Sequence, residues 1–177
     1  SFCSFAKDYT CIPSIKLDDE AIAANTKMFT QSDELYGLWL MTMAEYNLDD
    51  YLHGVEVAKK NLVGSTMLLT NVGDTSYEAF CEMKAAGIDG VYHCWRLREG
   101  TDTGISPERR KQTAYNAKKA GLEFLDALEP IGPEHTIEEL AEHIMWSRDM
   151  ETIQYGAMSR VPVPGTPFEN SPMLPAI

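Results

Sequence analysis

The sequence predicts an α/β fold in which parallel strands alternate with helices. Three observations carry that prediction. Five short apolar runs recur along the chain at about 30-residue intervals, the length of one strand–helix unit. The stretches between them have helical caps and helical periodicity. The runs are continuously apolar, as strands buried on both faces are, and helical crossovers make such strands parallel.

The elements follow in order. Residues 18–31 read as a helix with acids in its first turn, where the helix dipole favours them. Residues 36–43 (YGLWLMTM) are an apolar run and hence a buried strand. Asn47 caps a helix over 49–61, and residues 65–70 form a second strand. Thr75 and Glu78 have capping-box spacing. The helix they open runs to Ala86 and stops at Gly87, a residue free to adopt the left-handed conformation.

The unit then repeats. Residues 88–93 are a strand. Ser106 is an N-cap with Pro107 at the first helical position, and that helix ends at Lys118 and Lys119 before Gly121. Residues 122–128 are the fourth strand. Thr136 and Glu139 form a second capping box. Its helix is expected to bury Ile137, Leu140, Ala141, Ile144 and Met145, which recur at helical spacing on one face. Residues 152–159 are the fifth strand, and Pro162, Pro164, Pro167, Pro172 and Pro175 prevent a regular element after it.

A repeat of this kind builds either a (β/α) barrel or an open doubly wound sheet. No G-x-G-x-x-G follows the first strand and no G-x-x-x-x-G-K-[ST] occurs, so the nucleotide-binding open sheets lose weight and a barrel gains it. The chain has 177 residues, 44% of them hydrophobic, which is enough to bury a core and argues against disorder. With 15 Lys+Arg against 27 Asp+Glu its net charge is −12, which disfavours nucleic acid as a partner. The longest basic clusters are Arg109-Arg110-Lys111 and Lys118-Lys119. No apolar run approaches the roughly 18 residues of a membrane span, and the first residues do not form a signal peptide. Cys3, Cys11, Cys81 and Cys94 include no C-x-x-C pair, and reduced thiols in a cytoplasm are expected. Cys81 is expected to be buried in its helix.

In barrels the chemistry sits where strands end. The strand ends here carry Thr42-Met43-Ala44-Glu45, then Thr70-Asn71-Val72-Gly73, Tyr92-His93-Cys94-Trp95-Arg96, Glu129-Pro130-Ile131-Gly132-Pro133-Glu134-His135, and Ser159-Arg160-Val161-Pro162. Each also has an ordinary reading. Glu45 suits a helix start, His93 a hydrogen-bonded structural position, Arg96, Arg98 and Arg160 a solvated surface, and the prolines a turn.

Together with Phe2-Cys3-Ser4-Phe5, these segments resemble a radical S-adenosylmethionine (SAM) enzyme of the biotin-synthase-like group. That group includes biotin synthase, methylornithine synthase and the radical enzymes that assemble hydrogenase cofactors. Its hallmark is C-x-x-x-C-x-x-C, which holds a [4Fe–4S] cluster. Phe2-Cys3-Ser4-Phe5 resembles the last of those cysteines, so the resemblance makes Cys3 a cluster ligand. The first two cysteines are not in this chain. Thr42-Met43-Ala44-Glu45 resembles the segment whose carboxylate binds the SAM ammonium, with Ala44 where Gly is common, which implies that role for Glu45. Ala86-Gly87-Ile88-Asp89 and Tyr92-His93 resemble the approach to the ribose-contacting loop. Cys94 and Arg96 stand where biotin synthase has Asn and Asp, which argues against biotin synthase itself. Pro107-Glu108-Arg109-Arg110 resembles the helix start whose Arg, here Arg110, pairs with the SAM carboxylate. Glu129-Pro130-Ile131-Gly132-Pro133-Glu134 resembles the Gly-x-Ile-x-Gly-x-x-Glu strand end beside the adenosine, which implies a contact from Ile131. The proline-rich stretch from Val161 to Pro167 resembles the end of the sixth strand near the adenine, which implies one from Val161.

The resemblance implies strands two to six of a partial barrel, as an internal segment of a longer enzyme. It lacks the first strand, the first two cluster cysteines and a C-terminal part. It implies a [4Fe–4S] cluster and SAM as cofactors and an electron donor such as flavodoxin or ferredoxin. The implied reaction is a 5′-deoxyadenosyl radical abstracting hydrogen from a small-molecule substrate, in cofactor biosynthesis. Thiolates ligate iron, and the zwitterionic end of SAM needs one anion and one cation, which suits Glu45 and Arg110. Substrate contacts are expected from His93, Arg96, Glu129 and Arg160. Two rivals remain. One is a metal-dependent barrel lyase or aldolase with His93 and His135 as ligands, though no His-x-His pair or paired carboxylate stands on one strand end. The other is a degenerate, non-catalytic fragment.

Overall fold

The computed structural model describes residues 15–32, 35–42 and 44–175. Cys3, the expected cluster ligand, lies outside them. The elements alternate as α1 (Asp19–Thr30), β1 (Gly37–Met41), α2 (Leu48–Asn61), β2 (Met67–Asn71), α3 (Tyr77–Ala86), β3 (Gly90–Tyr92), α4 (Pro107–Lys119), β4 (Glu123–Ile131), α5 (Ile137–Asp149) and β5 (Gln154–Ser159). The strands form one sheet in the order β1-β2-β3-β4-β5, and every pair is parallel. This is the expected α/β partial barrel.

Local chemistry explains the element starts. The side chains of Asp18, Asn47, Ser106 and Thr136 each accept a backbone N–H in the first turn of the following helix. Thr136 and Glu139 complete the expected capping box. Gly87 ends α3 at φ 110°, a left-handed conformation that costs a residue with a Cβ. The other capping box is corrected. The cap of α3 is Ser76, and Thr75 is buried beneath it. There its hydroxyl donates to the Gly73 carbonyl (2.8 Å) and meets the Tyr46 hydroxyl at 3.1 Å.

One face of the sheet builds the core. Leu68, Val91 and Phe124 pack with Val55, Phe80, Met83, Ala114 and Ala117 from the helices. Tyr51 of α2 reaches the Thr70 hydroxyl (2.5 Å) and the Leu40 carbonyl (3.2 Å), tying two strands to one helix. Side chains alternate along a strand, so Leu69, Tyr92 and Leu125 take the concave face.

The expected buried face of α5 is also corrected. Ile137 is 80% exposed, and Ile144 and Met145 are 45% and 47% exposed. The face against the sheet carries His143, Ser147 and Met150 instead. A polar niche on β4 and β5 selects that face, because Asp126 and Tyr155 lie under the helix. All six residues of β5, an edge strand, are exposed. Cys81 is half-buried rather than buried, whereas Cys94 is 3% exposed.

Candidate functional site

The C-terminal ends of the strands gather a chain of ion pairs. Ser106 caps α4 by accepting the Arg109 N–H, which sets Arg109 and Arg110 in the first turns beside the loop after β2. Asp74 in that loop faces Arg109 Nε at 3.1 Å and Arg110 Nη1 at 3.2 Å. Arg110 Nε donates to Glu99 Oε1 at 3.1 Å. The other Glu99 oxygen accepts the backbone N–H of Arg96 at 3.1 Å. Arg96 Nε lies 3.1 Å from Glu129 Oε1, and the Tyr92 hydroxyl donates to Glu129 Oε2 at 3.3 Å. The network therefore runs from Asp74 on one side to Glu129 on the other.

Burial sets its electrostatics. The Glu99 side chain is wholly buried, and desolvation lifts its pKa above the usual carboxylate value although Arg110 opposes the rise. His93 is 3% exposed. Burial, with Arg110 and Arg96 nearby, lowers its pKa to about 3. The imidazole is therefore neutral. Its Nε2 lies 3.7 Å from Asp74 Oδ1 and has no hydrogen-bond partner among the described residues.

A second pair stands at the end of β5. The Arg160 fork embraces both oxygens of Glu134, with Nη2 to Oε2 at 3.0 Å. This bond holds the Glu134 carboxyl at about 2, well below its usual value. Arg160 is 4% exposed and its guanidinium sits 4.6 Å over the Phe168 ring, so it is not a solvated surface charge. Its backbone N–H donates to the Ile131 carbonyl at 2.8 Å, tying β4 to β5. Gly132 lies directly beneath the pair, since a Cβ there would meet Arg160 Nη2 at 2.6 Å.

The structure thus brings Arg96, Glu129 and Arg110 into one network, sets the neutral His93 beside it at Asp74, and puts Arg160 in a separate pair. Ile131 is half-buried at the end of β4, and Val161 is 58% exposed just past β5. Glu45 is exposed in the bend after β1 and joins no ion pair among the described residues. Sequence reasoning missed Asp74, Glu99 and Tyr92. Asp74 follows Gly73 at a strand end and was within reach of the strand-end rule. Glu99 has no such signal.

The donor sets for metals fit poorly. Asp102, Glu134 and His135 bring ligand atoms within 4.8 Å of one another, but His93 is not among them. His135 Nδ1 accepts the Gly132 N–H at 2.8 Å, so in the neutral ring Nε2 carries the proton and has no lone pair for a metal. Glu134 is already committed to Arg160. The Cys94 thiol has its pKa pushed well up by burial and by Glu129 and Asp126, which disfavours the thiolate an iron needs. For SAM the fit is better. A guanidinium has five N–H donors, and the two carboxylates engage Arg110 at Nε and Nη1, which leaves the Nη2 side for a ligand carboxylate. No helix among the described residues is long and apolar enough to cross a membrane.

Comparison with solved structures gives the fold a precedent. The chain shares its fold with methylornithine synthase. That likeness has a TM-score of 0.82 over 96% of this chain and 52% of the other, at 18% identity. HydG, a maturase of the [FeFe]-hydrogenase, is similar at a TM-score of 0.71, over 94% of this chain and 41% of the other, at 11% identity. The chain therefore spans about half the length of these neighbours or less. Both are proteins of the kinds named in the resemblance. No family profile and no curated protein matches the sequence.

Proposed function

We propose that the chain forms part of the core of a radical SAM enzyme, with the SAM and substrate sites at the C-terminal ends of its strands. One observation carries this reading. Arg110, Arg96 and Glu129 belong to a single part-buried network, with the neutral His93 beside it, at that end of a half-barrel whose fold is that of methylornithine synthase. Arg110 would hold the SAM carboxylate and Glu45 its ammonium, with Ile131 and Val161 beside the adenosine. Cys3, with two further cysteines, would hold the [4Fe–4S] cluster. The bound groups would supply a 5′-deoxyadenosyl radical, with the electron coming from a flavodoxin or ferredoxin. Arg96 and Glu129, fixed by Tyr92 on the concave face, would orient a small substrate, with His93 as a neutral contact beside them. Arg160, locked to Glu134, would contribute by holding the end of β5 in place. The product would enter cofactor biosynthesis.

Calorimetric titration with SAM tests the pocket directly. Wild-type chain should bind, while Arg110→Ala and Arg110→Lys should bind at least about tenfold more weakly, since Lys keeps the charge but loses the fork. Equal affinity in all three would show that Arg110 does not hold the carboxylate. Anaerobic reconstitution of a polypeptide carrying the complete three-cysteine motif tests the chemistry. SAM cleavage to 5′-deoxyadenosine is expected, and no iron uptake would sink the radical reading.

A further inference from the structure

His143 lies in the middle of α5, outside the network, and is 1% exposed. Its Nε2 meets the backbone carbonyl of Trp95. A carbonyl only accepts, so Nε2 carries the proton. Nδ1 is then the acceptor, and the Tyr155 hydroxyl donates to it at 3.0 Å. The imidazole also stacks on the Trp95 indole, with centroids 5.1 Å apart and planes 10° apart. Lys111 Nζ from α4 sits 3.4 Å from the centroid of the same indole. Trp95 is therefore held by both flanking helices.

The segment held this way is the one that builds the site. His93 N–H donates to the Leu125 carbonyl (3.1 Å) and Leu97 N–H to the Glu129 carbonyl (2.9 Å), so β4 fixes one side of it. His143 fixes the other side. The residue after Trp95 gives its N–H to Glu99, and Glu99 takes Arg110. We infer that His143 is a positioning residue: as the Nε2–H tautomer it anchors the Trp95 carbonyl and so fixes Arg96, Glu99 and Arg110. The effect on SAM rests on the function proposed above, but the effect on the loop does not.

The surroundings keep the ring neutral. Burial lowers its pKa, and Lys111 adds to the fall. The groups facing it are Asp126 of β4 at 3.9 Å, Tyr155 of β5, Lys111 of α4 and, on its own helix, Glu142. Cys94 lies next to Asp126. A protonated ring would put Nδ1–H against the Tyr155 hydroxyl, and that hydroxyl would have to turn its hydrogen away.

Two measurements on the 177-residue chain test the inference. Nitrogen-15 spectra of the imidazole should show the neutral Nε2–H tautomer at pH 7. The amide resonance of Arg96 should move in His143→Leu, which cannot donate, and stay in place in His143→Gln, whose amide can. SAM binding should fall about tenfold in His143→Leu and recover in His143→Gln, because a buried carbonyl left unpaired lets the loop that sets Arg96, Glu99 and Arg110 shift. A charged or Nδ1–H ring, or an unmoved Arg96 amide in a folded His143→Leu, would overturn the proposal. A wild-type chain that ignores SAM while the Arg96 amide responds would leave the proposal standing and sink the SAM reading.

Discussion

The carboxylate of Glu99, with no exposed side-chain surface, lies 3.1 Å from Nε of Arg110. Asp74 takes the same guanidinium at Nη1. One cation therefore bridges two carboxylates in a part-buried setting, and Arg109 shares Asp74 with it. Removing it leaves Glu99 as an uncompensated buried charge. Arg110→Ala should destabilise the chain by about 3–5 kcal/mol, as broken buried pairs do, and Arg110→Lys by less. Urea denaturation of both variants measures this. Wild-type stability in Arg110→Ala would mean that the pair does not form in solution.

Asp126 gives a pH prediction of its own. Its carboxyl is wholly buried beside His143; among the described residues neither oxygen has a well-formed hydrogen bond, and contacts from the Ala127 backbone, Ser147 and Cys94 only partly oppose the effect of burial. Burial raises its pKa to about 7. A raised carboxyl pKa means that the fold prefers the protonated form. Its contribution is present below the unfolded value near 4 and is lost as the pH rises through 7. Asp126→Asn should therefore stabilise the chain by on the order of a few kcal/mol at pH 8 and hardly at all at pH 4. Thermal melts at the two pH values decide it, and an equal effect at both would refute the assignment.

His93 titrates in the opposite sense. Its pKa is lowered to about 3, so the fold prefers the neutral ring. That contribution is present above the unfolded value near 6.5 and is lost as the pH falls towards 3. Proton spectra should show no titration of the His93 ring between pH 7 and 4. A midpoint for His93 near 6 would show that water reaches its ring.

Gly132 should tolerate no side chain. A methyl there would strike the Arg160 and Glu134 side chains, and their fork would have to open. Gly132→Ala is expected to cost about 1–3 kcal/mol, the usual range for overpacking. In the Arg160→Ala background the same change should cost less, because one obstacle is gone and Glu134, freed from its fork, can swing aside. Additive losses in the double variant would place the obstruction elsewhere.

The sheet and most caps were legible because their signals are local. Apolar runs, Asn47, Ser106 and Thr136 act over a few residues. The face of α5 was not legible, since Ile137, Ile144 and Met145 make the better apolar stripe. The choice of His143 and Ser147 depends on Asp126 and Tyr155, which reach the helix only through the fold. The network was half legible for the same reason. Strand-end reasoning found His93, Arg96 and Glu129. Asp74 and Glu99 acquire their role only when α4 brings Arg110 across 36 and 11 residues of sequence.

Strand order follows chain order without exception. Each strand therefore pairs with the strand made just before it, so the topology allows assembly in the order of synthesis. Parallel sheets are usually slow to form, because distant segments must meet before any contact rewards them. Here every pairing closes a short loop of one helix, and loop-closure entropy stays small and nearly constant from unit to unit. The chain can therefore grow its sheet from one edge as it emerges from the ribosome, with β1 and β2 in register before β4 exists.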